Sequence, residues 1–228
     1  IMSKQSSSFH VPATYIYSVE GNIGSGKSTF VRFLKENLND PNVVFVQEPV
    51  DVWETIKDKN GETILTKFYR SNKDYAFAFQ IMAYISRLSL LKKTILENPG
   101  KIIITERCVD TDKNVFAKML YDSGKIKEVE YQIYLKWFDE FSSYLHVDGT
   151  IYIYTTPQKC SDRVQKRNRT GESIPIEYLE SCHRYHDAWL NNSNKPLLTL
   201  LNEFDVEEHE HMDKLEKFKK FINLNIKQ

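Results

Sequence analysis

Apolar positions along the chain fall into two recurring patterns. Five short runs, over 15–19, 43–46, 101–105, 150–154 and 197–201, are mostly rich in Val, Ile, Leu or Tyr and nearly unbroken in apolar character. Strands covered on both faces look like this. Between the runs, apolar residues return every three or four positions, the period of an amphipathic helix. Helices are predicted over 28–39, 62–97 with a break near Ser71-Asn72, 113–122, 127–144, 157–167, 175–191 and 209–226. Strands alternating with long helices predict an α/β fold, a five-stranded parallel sheet flanked by crossover helices. There is no internal repeat and no linker long enough to divide the chain, so one domain is expected over 1–228, with residues 1–12 as a loose tail. The stretch 163–174, a basic helix end running into a Gly-containing loop, is the expected lid.

Composition narrows the partners. The 228 residues carry 31 Lys and Arg against 31 Asp and Glu, a formal net charge of zero. Zero charge gives no global attraction to polymeric nucleic acid or to an acidic membrane. A polyanion must then be held by a local cluster. No apolar run reaches the ~18 residues of a membrane span. Residues 3–8 are Ser-rich but short and poor in Arg, so no transit peptide is expected. Cys108, Cys160 and Cys182 form an odd set without C-x-x-C spacing, which fits a reducing compartment, and a cytoplasmic location is expected.

The densest chemical signal is Gly21-Asn22-Ile23-Gly24-Ser25-Gly26-Lys27-Ser28, followed by Thr29. It satisfies G-x-x-x-x-G-K-[ST], and it stands where such a loop must, between an apolar strand and an amphipathic helix. The glycines let successive backbone N–H groups turn inward onto phosphate oxygens, and the helix N-terminus adds partial positive charge. Lys27 is expected on the β- and γ-phosphates of a nucleoside triphosphate and Ser28 on Mg²⁺. A guanine-specific Asn-Lys-x-Asp motif is absent from Asn72-Lys73-Asp74-Tyr75 and from Asn194-Lys195-Pro196-Leu197. The third strand ends in Glu106-Arg107, which makes Glu106 a second metal-side group beside Ser28. The second ends in Gln47-Glu48-Pro49-Val50. Ends of parallel strands face the ligand crevice, and a kinase acting on a hydroxyl needs a carboxylate to accept its proton, so Glu48 is a candidate base.

The ordered set of phosphate loop, Glu48-Pro49-Val50 with Trp53, Phe79-Gln80, Glu106-Arg107 and the Arg-rich stretch around Arg167 resembles the deoxyribonucleoside kinases. The resemblance runs from about residue 15 to 201, and it implies the P-loop kinase fold with a lid. It implies that Glu48 takes the proton of a deoxyribose 5′-hydroxyl, that Arg107 steadies that base, and that Glu106 stands near the metal. Tyr69 and Glu172 match the pair on the sugar 3′-hydroxyl. Gln80 matches the amide that pairs with the base edge. Phe116 matches the ring that stacks on the base, with Trp53 and Phe79 in the same pocket. Arg163, Arg167 and Arg169 match the arginines that close over ATP. On residue chemistry alone the aromatics and Tyr69 also read as core packing, Gln80 as a helix surface and the arginines as a solvated face.

Ala83, Arg87 and Asp112 fall where the deoxycytidine and deoxyguanosine kinases of this family carry the same residue types. A charged pair there would occupy the space of thymine's methyl group. The resemblance therefore implies deoxycytidine, deoxyadenosine or deoxyguanosine before thymidine, and a homodimer packed through long helices, with 74–97 and 113–122 as candidates. Departures are Cys108 in place of Ser, Lys113 in place of Arg, and a shorter lid with Gly171-Glu172. The rival is a nucleoside monophosphate kinase of the thymidylate kinase type, in which the residue before Glu48-Pro49 would be an Arg; here it is Gln47.

Overall fold

The structure, a computed structural model, describes residues 13–142, 145–168, 172–203 and 208–226. Its centre is a five-stranded sheet in the order β2-β3-β1-β4-β5. The strands are β1 (Tyr15–Glu20), β2 (Val43–Val46), β3 (Ile102–Glu106), β4 (Gly149–Tyr154) and β5 (Leu197–Leu201), and every pairing is parallel. Residues 16–20 of β1 are buried on both faces, as its unbroken apolar run predicts.

The register decides where chemistry can occur. Val19 pairs with Glu106, and Val46 pairs with Thr105. The carboxyl ends of β1, β2 and β3 are therefore level, and the segments leaving them, Gly21–Ser28, Gln47–Val50 and Glu106–Arg107, converge on one edge of the sheet.

Helix α1 (Lys27–Asn37) follows the loop and buries Phe30, Val31 and Leu34 against β1 and β3. Helix α10 (Glu208–Ile226) closes the same core with Leu215, Phe218 and Ile222. The other face carries α2 (Val50–Thr55), α3 (Ile64–Arg70), α4 (Asn72–Glu97), α7 (Glu128–Ser142), α8 (Pro157–Arg167) and α9 (Ile176–Asn191). The expected break near Ser71-Asn72 is present: α3 is capped by Thr63, whose Oγ1 accepts from Thr66 N at 3.1 Å, and Ser71 leaves helical geometry.

Two elements differ from expectation. Helix α2 was not predicted; at six residues it is too short to show a period. The helix expected over 113–122 begins earlier, as α5 (Val109–Thr111), widens into a π-helical turn (Asp112–Ala117) and continues as α6 (Lys118–Asp122). Such turns are common at functional sites, and this one carries Asp112 and Phe116, both buried. The inner side of this segment, Val115, Phe116, Met119 and Leu120, lies in a core cluster with α4 and α9.

Candidate active site

The three strand ends and the helices above them enclose a cavity of about 540 Å³. At one end lies the phosphate loop. Gly24 sits at φ 81°, and a Cβ there would meet the Cys160 carbonyl oxygen at 2.5 Å, so only glycine fits. Asn22 staples the loop from inside: its Nδ2 donates to Leu179 O at 2.8 Å and its Oδ1 accepts from Ile23 N at 2.8 Å. Lys27 Nζ donates to Asn22 O at 2.7 Å. Burial and the nearby Arg107 charge pull the Lys27 ammonium down to about 8, against the opposing pull of Glu106 and Glu48. Ser28 Oγ donates to Glu106 Oε1 at 2.5 Å, so the two expected metal-side groups touch. Two hard oxygen donors beside a phosphate cradle suit Mg²⁺, which binds through one or two protein oxygens plus phosphates.

In the middle stands Glu48. Its Oε1 accepts from Arg87 Nη2 at 2.8 Å and from Arg107 Nη1 at 2.9 Å. Burial by itself would raise this carboxyl, but the Arg107 and Arg87 guanidiniums and Lys27 hold it well below the usual carboxylate range. Arg107 reaches this position by a strained backbone, φ 61°, which costs a non-glycine residue about 1–2 kcal/mol. The conformation is held by its N–H on Val19 O at 3.0 Å, by Nη2 on Gly21 O at 3.2 Å, and by the Phe116 ring 4.9 Å from its guanidinium.

The far end is aromatic with a few polar groups. Phe79 stacks on Phe68 at 4.6 Å and meets Trp53 edge-on at 5.4 Å. Trp53 Nε1 donates to Ser86 Oγ at 2.8 Å, which fixes the indole. Gln80 is buried, and its Oε1 has no partner among the described residues. Arg87 Nε donates to Asp112 Oδ2 at 2.9 Å, and Nη1 to Glu106 O at 3.1 Å, so one guanidinium joins Asp112, Glu106 and Glu48. Burial pushes the Asp112 carboxyl up despite Arg87. Burial likewise raises the Tyr69 hydroxyl, aided by Glu172 and Glu48.

The cavity wall includes, of the residues singled out by sequence, Lys27, Ser28, Thr29, Glu48, Trp53, Tyr69, Phe79, Gln80, Ala83, Arg87, Glu106, Arg107, Asp112, Phe116, Arg163, Arg167 and Glu172, with Ile23, Gly24 and Gly26 of the loop. Gly21, Asn22 and Ser25 shape the loop from behind. Arg163 Nη1 points at Ser25 O, 3.4 Å away. Arg167 makes a two-pronged pair with Glu172, with its Nη2 2.6 Å from Oε1. Arg169 lies outside the described residues. Sequence reasoning missed Phe68, Tyr178 and Asp51 on the wall and Ser86 behind it. It also missed Asn202, which donates to the loop carbonyl of Ser25 at 2.7 Å. Asn202 follows a strand end, the same signal that flagged Glu48 and Glu106.

Comparison with known proteins gives one consistent answer. The deoxynucleoside kinase family profile matches residues 17–226. The chain is 35% identical over 238 residues to the deoxycytidine kinase of Homo sapiens, covering 90% of each. It is 33% identical over 221 residues to the mitochondrial deoxyguanosine kinase of Xenopus laevis, covering 84% of this chain and 83% of that one. A probable deoxycytidine kinase of fowlpox virus is 37% identical over 182 residues, covering 78% of this chain and 72% of the viral one.

Proposed function

The chain belongs to the deoxynucleoside kinase family, and from that premise we propose that its cavity moves the γ-phosphoryl group of ATP onto the 5′-hydroxyl of deoxycytidine, deoxyadenosine or deoxyguanosine in preference to thymidine. The observation that carries the reading is the placement of Glu48 and Arg107 between a phosphate loop and a buried polar–aromatic pocket.

The phosphate loop holds the ATP polyphosphate. Lys27 balances charge on the β- and γ-phosphates, with Arg163, Arg167 and Arg169 closing from the lid. Ser28 and Glu106 hold Mg²⁺, which when bound neutralises charge shared by those phosphates. Glu48 orients the 5′-hydroxyl and takes its proton. Its depressed basicity suits this role, because a loose phosphoryl-transfer transition state asks little of the base beyond position. Arg107 keeps Glu48 aimed and meets charge on the transferring group. Tyr69 and Glu172 hold the sugar.

The base lies between Phe116 and the Trp53–Phe79 side, its edge on Gln80. Gln80 Oε1, without a partner among the described residues, is a buried acceptor that a base-edge donor would satisfy. Arg87 and Asp112 supply a donor and an acceptor where thymine would bring a methyl group. The uncharged Gln47 before Glu48 favours a nucleoside acceptor over a monophosphate. The three free, buried cysteines support the cytoplasm as the compartment.

Glu48→Gln tests the chemistry. The amide oxygen still accepts from Arg87 and Arg107, so nucleoside KM stays within about threefold, while kcat drops by about 10²–10⁴. An unchanged kcat in steady-state assays removes Glu48 from the role.

A further inference from the structure

The Ser25–Gly26 peptide lies in the middle of the phosphate loop, and groups outside the loop set its orientation. Ser25 O accepts from Asn202 Nδ2 at 2.7 Å, from Thr155 Oγ1 at 3.1 Å and from Arg163 Nη1 at 3.4 Å. Asn202 leaves the end of β5 and is anchored there by its N–H on Tyr154 O at 2.8 Å. Its Oδ1 accepts at 2.8 Å from the ammonium of Lys214, a largely buried residue of α10. Asn202 and Lys214 lie outside the phosphate-loop motif.

An amide side chain has a donating end and an accepting end, and by itself it can be turned either way. An ammonium has donors only, so Lys214 fixes the accepting end toward itself and sends Nδ2 to Ser25 O. A peptide unit is planar and trans, so its C=O and the next N–H point in opposite directions. Holding the Ser25 carbonyl outward turns the Gly26 N–H toward the phosphate concavity. Gly26 sits at φ 95°, and a Cβ there would lie 2.5 Å from Asn202 Nδ2, so the close approach of this amide is built into the glycine. We infer that Lys214, acting through Asn202, is a positioning residue for the ATP polyphosphate. It locks the Ser25–Gly26 peptide in the orientation that presents its N–H to phosphate, and it ties α10 to the nucleotide end of the cavity.

The inference rests on ATP being the loop's ligand, and saturable wild-type turnover with ATP checks that reading separately. Lys214→Met keeps the side-chain stem and removes the cation. The expected result is a rise of about tenfold in KM for ATP, the worth of one charge-assisted hydrogen bond, with kcat and nucleoside KM within about twofold. Lys214→Arg restores most of the ATP affinity. Asn202→Asp guards against a folding artefact. The carboxylate pairs with Lys214, so α10 stays docked, but it offers no N–H to the Ser25 carbonyl; a similar rise in KM for ATP is expected. The inference is overturned if KM for ATP stays at the wild-type value in Lys214→Met and Asn202→Asp. It is equally overturned if only kcat falls, as it would with fewer folded molecules, or if Lys214→Arg performs no better than Lys214→Met.

Discussion

Single residues in this protein are tuned by what they are buried beside. Lys27 is the plainest case. Burial and the Arg107 charge bring its ammonium down to about 8, within reach of ordinary assay conditions. The sign follows directly. Below that pH the side chain is charged and attracts polyphosphate; above it the charge is lost from the free enzyme. The ratio kcat/KM for ATP reports the free enzyme, so it should fall as pH rises through about 8. A profile flat up to pH values near the unperturbed lysine range of about 10.4 would contradict this assignment. Arg107 shows the opposite economy of means. Its strained backbone conformation costs stability, yet it lets one side chain contact Glu48, the Gly21 carbonyl and Phe116.

At the scale of elements, α4 faces the π-helical turn, and the proposed base specificity rests on that contact. The buried face of α4 repeats through Ala76, Phe79, Gln80, Ala83, Tyr84 and Arg87, so the helical period alone lines up two polar residues with apolar ones. The π turn then brings Asp112 onto Arg87. Arg87→Met alone leaves a buried carboxylate without its partner, a loss of about 3–5 kcal/mol. Arg87→Met with Asp112→Ala removes both charges. The double variant should therefore be more stable than Arg87→Met alone, by thermal melting. Its kcat/KM for thymidine should also rise, because the methyl group gains an apolar neighbour. No rise in thymidine activity would count against the geometry. These contacts were legible only in part. Nearly unbroken apolar runs pointed to the sheet, and strand ends pointed to Glu48 and Glu106, while Arg107 came from the family resemblance. Nothing in the periodicity of residues 109–122 signals a widened turn. The six residues of α2 are too few to show a helical period. The base pocket takes side chains from several such elements, and only the ordered family motifs joined them before the structure did.

For the whole molecule, zero net charge conceals a dense local mixture of both signs, with Glu48, Asp51, Glu106, Asp112 and Glu172 on the same cavity wall as the cations. Lys27, Arg87, Arg107, Arg163 and Arg167 line one cavity, and the compensating carboxylates are spread around and within it. A second whole-molecule feature is the outer face of α7, where Val129, Ile133, Trp137 and Phe141 are exposed at four-residue spacing beside α4, which exposes Ile85. We propose this α4–α7 face as the homodimer contact. Light scattering should give twice the chain mass for the wild type and one chain mass for Trp137→Glu; a monomeric wild type would contradict it. No described helix is long and apolar enough to cross a membrane, so this apolar stripe is not part of a helical span.

A deoxynucleoside whose base meets Gln80, Arg87 and Asp112, as proposed, is selected over thymidine. Steady-state phosphorylation of deoxycytidine, deoxyadenosine, deoxyguanosine and thymidine, with ATP in excess, tests this selection most directly. The expected kcat/KM for the best of the first three exceeds that for thymidine by about tenfold or more. Thymidine turnover equal to that of the best of them would contradict it.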